Sequence, residues 1–217
     1  MRITGGKSKG RVLSSLKGMH IRPTSDKVRE AVFDILGQSL GGKKILDLFA
    51  GTGSYGIEAL SRGATWSLFI DNSGYSMKNI HKNLMICGFQ KSGFVLKRDL
   101  RRGLPRAHPK FKEGFDIVFI DPPYGRDLIP PILEGLSGSG ILTSHSLVIA
   151  ESLTKDILPV ICGKLRKFDT RIYGKTKIDM YSYEGHEDGR KNSDLSGDIR
   201  SLDQWSPEYL EQGPADI

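Results

Sequence analysis

Asp121-Pro122-Pro123-Tyr124 closes an apolar run, Phe115 to Ile120, that reads as a buried strand. Those four residues at a strand's C-terminal edge suit the grip of a flat nucleobase by its exocyclic amine. The prolines fix φ and remove two backbone donors, so the turn presents a carboxylate and a carbonyl as acceptors. The Tyr124 ring can stack on the base. A strand that merely ends in a proline-rich turn would look the same, so the weight falls on what accompanies it.

A second constellation lies upstream. Asp47-Leu48-Phe49-Ala50-Gly51-Thr52-Gly53-Ser54-Tyr55-Gly56 follows an apolar strand and opens a helix, and Gly51, Gly53 and Gly56 fit G-x-G-x-x-G. Glycines there permit positive φ and close approach of a ligand to the backbone. Asp71 ends the next strand, where a carboxylate can accept from both hydroxyls of a ribose. The pattern suits a dinucleotide, with its pyrophosphate at the helix N-terminus, or S-adenosylmethionine, which has no phosphate. Asp47 favours the second, because a carboxylate before the loop repels a pyrophosphate and attracts an ammonium. Asp99, ending a third strand, is placed to meet an adenine amine, or else is a helix cap. The expected cofactor contacts are Asp47, Phe49, Ala50, Gly51, Thr52, Gly53, Asp71, Asn72, Asp99, Leu100 and Asp121.

The chemistry follows from the pairing. An exocyclic amine is a poor nucleophile because its lone pair is delocalised into the ring. Hydrogen bonds to Asp121 and the Pro122 carbonyl would aim that lone pair at a sulfonium methyl, with Tyr124 fixing the ring plane. Asp121, Pro122, Pro123 and Tyr124 are therefore the catalytic candidates. The cofactor carries the reactivity, so no covalent protein nucleophile is required. The base must be unpaired or flipped out to reach the site.

These residues need a rigid carrier, and the chain supplies one. Strands at 45–49, 66–71, 94–99, 116–121 and 147–151 alternate with helices at 54–61, 76–87 and 128–136. Continuous apolar strands separated by helices imply an α/β domain with a mostly parallel sheet covered on both faces. Right-handed crossovers put the strand ends on one edge, where ligands bind. Lys167 to Tyr173 and Lys177 to Tyr183 read as a closing antiparallel hairpin. Before the domain, Met1 to Leu16 reads as two short strands around a Gly/Lys-rich turn, followed by a helix from Thr24 or Ser25 to Leu36. The organisation is a basic extension (1–42), a catalytic domain (43–184) and an acidic tail (185–217) expected to be largely disordered, with Trp205 and Tyr209 as its candidate anchors.

Charge points the same way. The 217 residues carry a formal +7, yet from Glu184 onward nine acids face three bases, so the body before them stands at +13. A body that basic favours a polyanionic partner. Arg2, Lys7, Lys9, Arg11, Lys17 and Arg22, with glycines between them, are expected to contact RNA phosphates, and Arg29 with them. Arg22, Thr24 and Arg29 could instead border the cofactor. Lys97, Arg98, Arg101, Arg102 and Arg106 form a second basic cluster. Two separated cysteines, Cys87 and Cys162, suggest buried thiols and a cytoplasmic setting, and no apolar run suggests a membrane span or leader. No metal is expected.

The chain resembles the bacterial RsmD-type enzymes, the 16S ribosomal RNA guanine-N2 methyltransferases, over about residues 2 to 184. The resemblance rests on Arg2-Ile3-Thr4-Gly5-Gly6, Gly10-Arg11, Arg22-Pro23-Thr24-Ser25-Asp26-Lys27-Val28-Arg29-Glu30, Leu46 to Gly53, Glu58 to Ala64, Asp121 to Tyr124 and Glu151-Ser152. It implies a Rossmann-like class I methyltransferase fold with a seven-stranded sheet, S-adenosylmethionine as cofactor, and N2-methylation of one guanine in the small ribosomal subunit. A monomer is expected. Asp71 stands where the family usually has Glu, which shortens the reach to a ribose. Ser73 stands where a second acid is common, and the acidic tail runs past the usual end. Asp-Pro-Pro-Tyr is shared with DNA adenine-N6 and cytosine-N4 methyltransferases, which would need a target-recognition insertion. A non-enzymatic RNA-binding assembly factor would show damage to one of the two motifs. A nicotinamide oxidoreductase would need a substrate domain and no Asp47.

Overall fold

A computed structural model of the chain describes residues 1–15, 23–105 and 109–184. Lys17, Arg22, Arg106 and the acidic tail, with Trp205 and Tyr209, lie outside the described residues. The elements are α1 (Pro23–Leu36), β1 (Lys44–Leu48), α2 (Ser54–Ser61), β2 (Trp66–Asp71), α3 (Gly74–Cys87), β3 (Gly93–Lys97), β4 (Phe115–Ile120), α4 (Ile129–Gly138), β5 (Leu142–Leu153), β6 (Ile161–Cys162), β7 (Leu165–Tyr173) and β8 (Thr176–Tyr183). No helix among the described residues is long and apolar enough to cross a membrane.

The strands form a single sheet in the order β3-β2-β1-β4-β5-β8-β7-β6. The ladders from β3 to β5 are parallel, and those from β5 to β6 are antiparallel. This is a Rossmann-like architecture with one addition to the seven expected strands. Ile161 and Cys162 pair with Arg166 and Leu165 and make an eighth, two-residue edge strand. That pair is too short to show a period in the sequence. β5 also starts earlier than its apolar core suggests, and its register against β4 shifts between Phe115 and Ile117.

Helices cover both faces because the buried strands alternate which way they point. Leu46, Leu48, Val118, Ile120, Val148 and Ala150 join one core cluster with Ile132, Leu133 and Leu136 of α4. On the other face, Phe119 of β4 lies 5.6 Å from the Phe33 ring of α1 and stacks at 4.8 Å on Tyr55 of α2. Gly56 lets α2 approach the sheet, since a Cβ there would collide with Phe69. The α3 ends are built by local chemistry: Ser73 Oγ accepts from Tyr75 N and Ser76 N, and Gly88 closes the helix at φ +76°.

The N-terminal extension is less of a hairpin than its sequence suggests. An isolated Arg2–Val12 bridge, with bonds from Ile3 N to Arg11 O and Gly10 N to Ile3 O, spans a single 3-10 turn at Gly6–Ser8. The arm instead binds the domain. Ser8 N donates to Ser61 Oγ, Ser61 Oγ to Gly5 O, and the Asn79 and Asn83 amides to Ser14 O. A Cβ on Gly6, which sits at φ +71°, would overlap the Ser61 backbone. Gly6, and Gly5 against the Arg62 side chain, therefore serve close packing on α2, whereas Gly10 faces open space.

Candidate active site

The C-terminal ends of β1, β2, β4 and β5 bring Asp47, Asp71, Asp121 and Glu151 to one edge of the sheet. There they line a cavity of about 600 Å³. The same cavity takes in Phe49, Ala50, Gly51, Thr52, Asn72, Asp99, Leu100, Pro122, Pro123 and Tyr124, so the two sequence motifs share one space. Gly53 is placed beside them as the N-cap of α2, at φ +77°.

The glycine loop is held from both sides. Phe49 adopts φ +59°, uncommon for a residue with a side chain, and Gly51 follows at +53°. Ala50 N donates to Ile70 O and Gly53 N to Ala50 O. Asp71 clamps the loop itself: Oδ2 accepts from Gly51 N at 2.9 Å and Oδ1 from Ser73 N at 2.8 Å. Each oxygen keeps a further lone pair for a ligand, so the shorter acid both builds the loop and faces the cavity. Ser73, in place of a second acid, caps α3.

Asp99 shows the cap role as well as the cavity position. It accepts from Arg101 N at 3.1 Å and grips the Arg101 guanidinium at 2.7 to 3.1 Å. Those bonds lower its pKa to about 2. An adenine amine at Asp99 would share it with Arg101.

The deeper carboxylates are the unusual ones. Asp47 is 2 % exposed and accepts from Gly56 N at 2.9 Å. Burial outweighs that bond and, with Asp71 nearby, raises its pKa to about 8. Asp121 is half-buried as a residue, yet its carboxyl lies among packed atoms. Desolvation first, then the charges of Glu151 and Asp47, hold it well above the usual carboxylate range. Among the described residues none of Asp47, Asp121 and Glu151 forms an ion pair.

Glu151 and Tyr55 are functional candidates that sequence patterns alone do not place in the site. Glu151 Oε1 accepts from Tyr124 OH at 2.8 Å and Oε2 from Tyr55 OH at 3.0 Å, so it ties the Asp-Pro-Pro-Tyr turn to α2. The signals that point to them are a carboxylate ending an apolar strand and an aromatic inside the glycine loop. A smaller cleft of about 80 Å³ shares part of this wall and is lined by Pro122 to Pro130, Glu151, Ser152 and Asp156 to Leu158.

The expected RNA contacts divide. Arg2, Lys7, Lys9 and Arg11 are exposed on the arm. Arg29 is not: it is 1 % exposed, donates to Asp26 Oδ1 and Arg2 O, and lies 3.6 Å from Glu58. This corrects its assignment as an RNA contact and as a border of the cofactor space, because a guanidinium sealed between the arm and α2 reaches no ligand. Arg98, Arg101 and Arg126 line the large cavity.

Comparison with known proteins gives one consistent relationship. The family model described as conserved hypothetical protein 95 matches residues 1–182. YlbH of Bacillus subtilis (strain 168), a candidate rRNA methyltransferase, is 35 % identical over 185 residues, covering 85 % of this chain and 100 % of YlbH. Ribosomal RNA small subunit methyltransferase D of Escherichia coli (strain K12) is 29 % identical over 184 residues, covering 85 % of this chain and 90 % of that protein. The solved structure of YhhF from Escherichia coli, a candidate methyltransferase, superposes with a TM-score of 0.74 at 30 % identity over 86 % of this chain and 99 % of that one.

Proposed function

The chain belongs to the conserved hypothetical protein 95 family, that of the RsmD–YlbH rRNA methyltransferases, and on that premise we propose that it transfers a methyl group from S-adenosylmethionine to the N2 amine of one guanine in 16S ribosomal RNA of the small subunit. One observation carries the reading: the glycine loop and the Asp-Pro-Pro-Tyr turn wall the same cavity. That cavity fits the cofactor on its own chemistry. Asp47 and Asp121 are desolvated carboxylates without a cation, which suits a ligand bearing an ammonium and a sulfonium. Asp71 and Asp99 present acceptors to a ribose and an adenine, and Gly51 leaves room at the backbone.

When bound, S-adenosylmethionine supplies the electrophilic methyl group. The protein's residues do the rest. Asp121 and the Pro122 carbonyl accept from the two amine hydrogens and turn the nitrogen lone pair out of conjugation. Tyr124, anchored by Glu151, holds the ring plane. A cation beside Asp121 lowers its proton affinity, so the carboxylate is ionised before transfer. As N2 gains its methyl it becomes acidic, and Asp121 accepts the proton it sheds.

The test is tritium transfer from S-adenosylmethionine to small subunits from cells lacking this protein, compared with naked 16S RNA and duplex DNA. The expected result is transfer to the small-subunit RNA and a single N2-methylguanine by mass mapping. Asp121→Ala should lower kcat by about 10³-fold or more, far beyond the accompanying change in cofactor Kd. Full activity in that variant removes Asp121 from the chemistry. Transfer to DNA alone replaces the reading with a DNA amino-methyltransferase.

A further inference from the structure

We propose that Glu151 is the residue that reads the target base as guanine, its carboxylate accepting from the base N1–H while Asp121 and the Pro122 carbonyl hold the N2 amine. The inference rests on the guanine-N2 reading above and adds the residue that enforces it. Guanine offers two adjacent donors, N1–H and the N2 amine. A site that holds only the amine would accept any base with an exocyclic amine, so a second acceptor must stand beside Asp121. Glu151 is the carboxylate that lines both the large cavity and the adjoining smaller cleft. Ile120 pairs with Ala150 in the parallel β4–β5 ladder, so Glu151 follows on the strand next to Asp121.

Its orientation is fixed in advance. Tyr124 OH holds one oxygen at 2.8 Å and Tyr55 OH the other at 3.0 Å. Tyr55 is itself locked by stacking on Phe119, with ring centroids 4.8 Å apart. Burial and the charge of Glu151 keep both hydroxyls protonated, so they donate and Glu151 accepts. Each carboxylate oxygen has two lone pairs, which leaves one apiece for a ligand. The neighbouring Ser152 is 1 % exposed on the wall of the same cleft, and its Oγ has no hydrogen-bond partner among the described residues.

The energetic consequence is selectivity by mismatch. 2-Aminopurine carries the same amine but has a lone pair at N1. Opposite Glu151, that lone pair and the carboxylate would both be buried unpaired. Sites built to bond a donor reject analogues lacking it by about 10⁴-fold. If Glu151 merely props Tyr124, its loss slows both bases alike and the ratio between them stays put.

The experiment uses the full chain and small subunits reassembled from RNA carrying guanine or, by splinted ligation, 2-aminopurine at the mapped site. kcat/KM is measured for each base with the unaltered protein, Glu151→Gln and Tyr55→Phe. The unaltered protein should prefer guanine by about 10³-fold or more. In Glu151→Gln the preference should fall by about 10²-fold or more, because the amide can donate to N1. The missing O6 contributes the same factor to protein and variant, so the change in the ratio reports N1 alone. Tyr55→Phe keeps the carboxylate but frees one of its oxygens, and should relax the preference by about tenfold. Should Glu151→Gln fail to fold, Tyr55→Phe decides alone. An unchanged preference in the folded variants overturns the proposal while leaving the methyltransferase reading intact. No transfer to guanine by the unaltered protein overturns both, before any variant is compared.

Discussion

Glu58 and Asp47 are both buried carboxylates, 0 % and 2 % exposed, and their surroundings are opposite. Glu58 accepts from Thr4 N, Thr4 Oγ1, Gly5 N and Arg62 Nε, with Arg29 facing it at 3.6 Å. Asp47 has one backbone donor, Gly56 N, and acidic neighbours. The first carboxylate is saturated and compensated, and it pins the N-terminal arm to α2. The second is left uncompensated on the wall of a cavity. A protein tolerates such a group where a cationic ligand completes it, so the local charge balance separates the part that holds the fold from the part that binds.

The largest effect should come from unbalancing the saturated side. Glu58→Gln leaves the Arg62 guanidinium buried without a counter-charge and Arg29 with Asp26 alone. The loss should reach about 3–5 kcal/mol, a fall in Tm on the order of 10 °C. Thermal unfolding with and without cofactor checks it. A fall of only a degree or two would mean that Glu58 is no keystone, and the contrast with Asp47 would lose its meaning.

The uncompensated side should respond to pH. The Asp47 pKa is raised from 3.8 to about 8 in the folded protein, so the folded state binds this proton more tightly than the unfolded one. Its contribution to stability is then complete below about pH 4 and is lost as pH rises through about 8. The ligand-free Tm should fall across that window by several degrees more than that of Asp47→Asn. Cofactor affinity should move the other way. Binding a cation expels the proton, so Kd should tighten by up to about tenfold per unit between about pH 6 and 8. A flat profile for both quantities in the unaltered protein would mean Asp47 is ionised throughout.

Much of this architecture is legible in the amino-acid sequence. The strand–helix alternation is strong because β1, β2 and β4 are apolar throughout, and α2 (Ser54–Ser61) and β2 (Trp66–Asp71) keep the bounds expected for them. The shared cavity is legible too, since both motifs end parallel strands. What escapes depends on contacts between distant residues. Arg29 reads as a free cation, and nothing local reveals that Glu58 and the arm enclose it. Glu151 reads as a strand-ending acid, and only the meeting of Tyr55 from α2 with Tyr124 from the β4 turn gives it a role. Gly5 and Gly6 of the arm have the composition of a phosphate-binding turn, and it is the Arg62 side chain and the Ser61 backbone that occupy the space beside them.

The smallest effect concerns the arm's outer face, where the two sides of the comparison meet. Lys7 lies 4.7 Å from the Phe89 ring and Arg11 donates to Ile86 O at 2.7 Å, so both cations are already fixed against the C-terminal end of α3. Lys9 is exposed on the same arm. If the arm clamps phosphates, Lys7→Glu with Arg11→Glu should weaken RNA binding and lower the salt slope by about 0.7 to 0.9 for each phosphate no longer neutralised. A small loss of stability should accompany it, because each side chain also packs. Lys9→Glu should lower the slope without moving Tm. Binding isotherms from about 50 to 200 mM salt and unfolding curves on the same samples separate the two contributions. An unchanged slope in both variants would assign the arm wholly to the saturated, fold-holding side, with RNA held by the cations at the cavity rim, Arg98, Arg101 and Arg126.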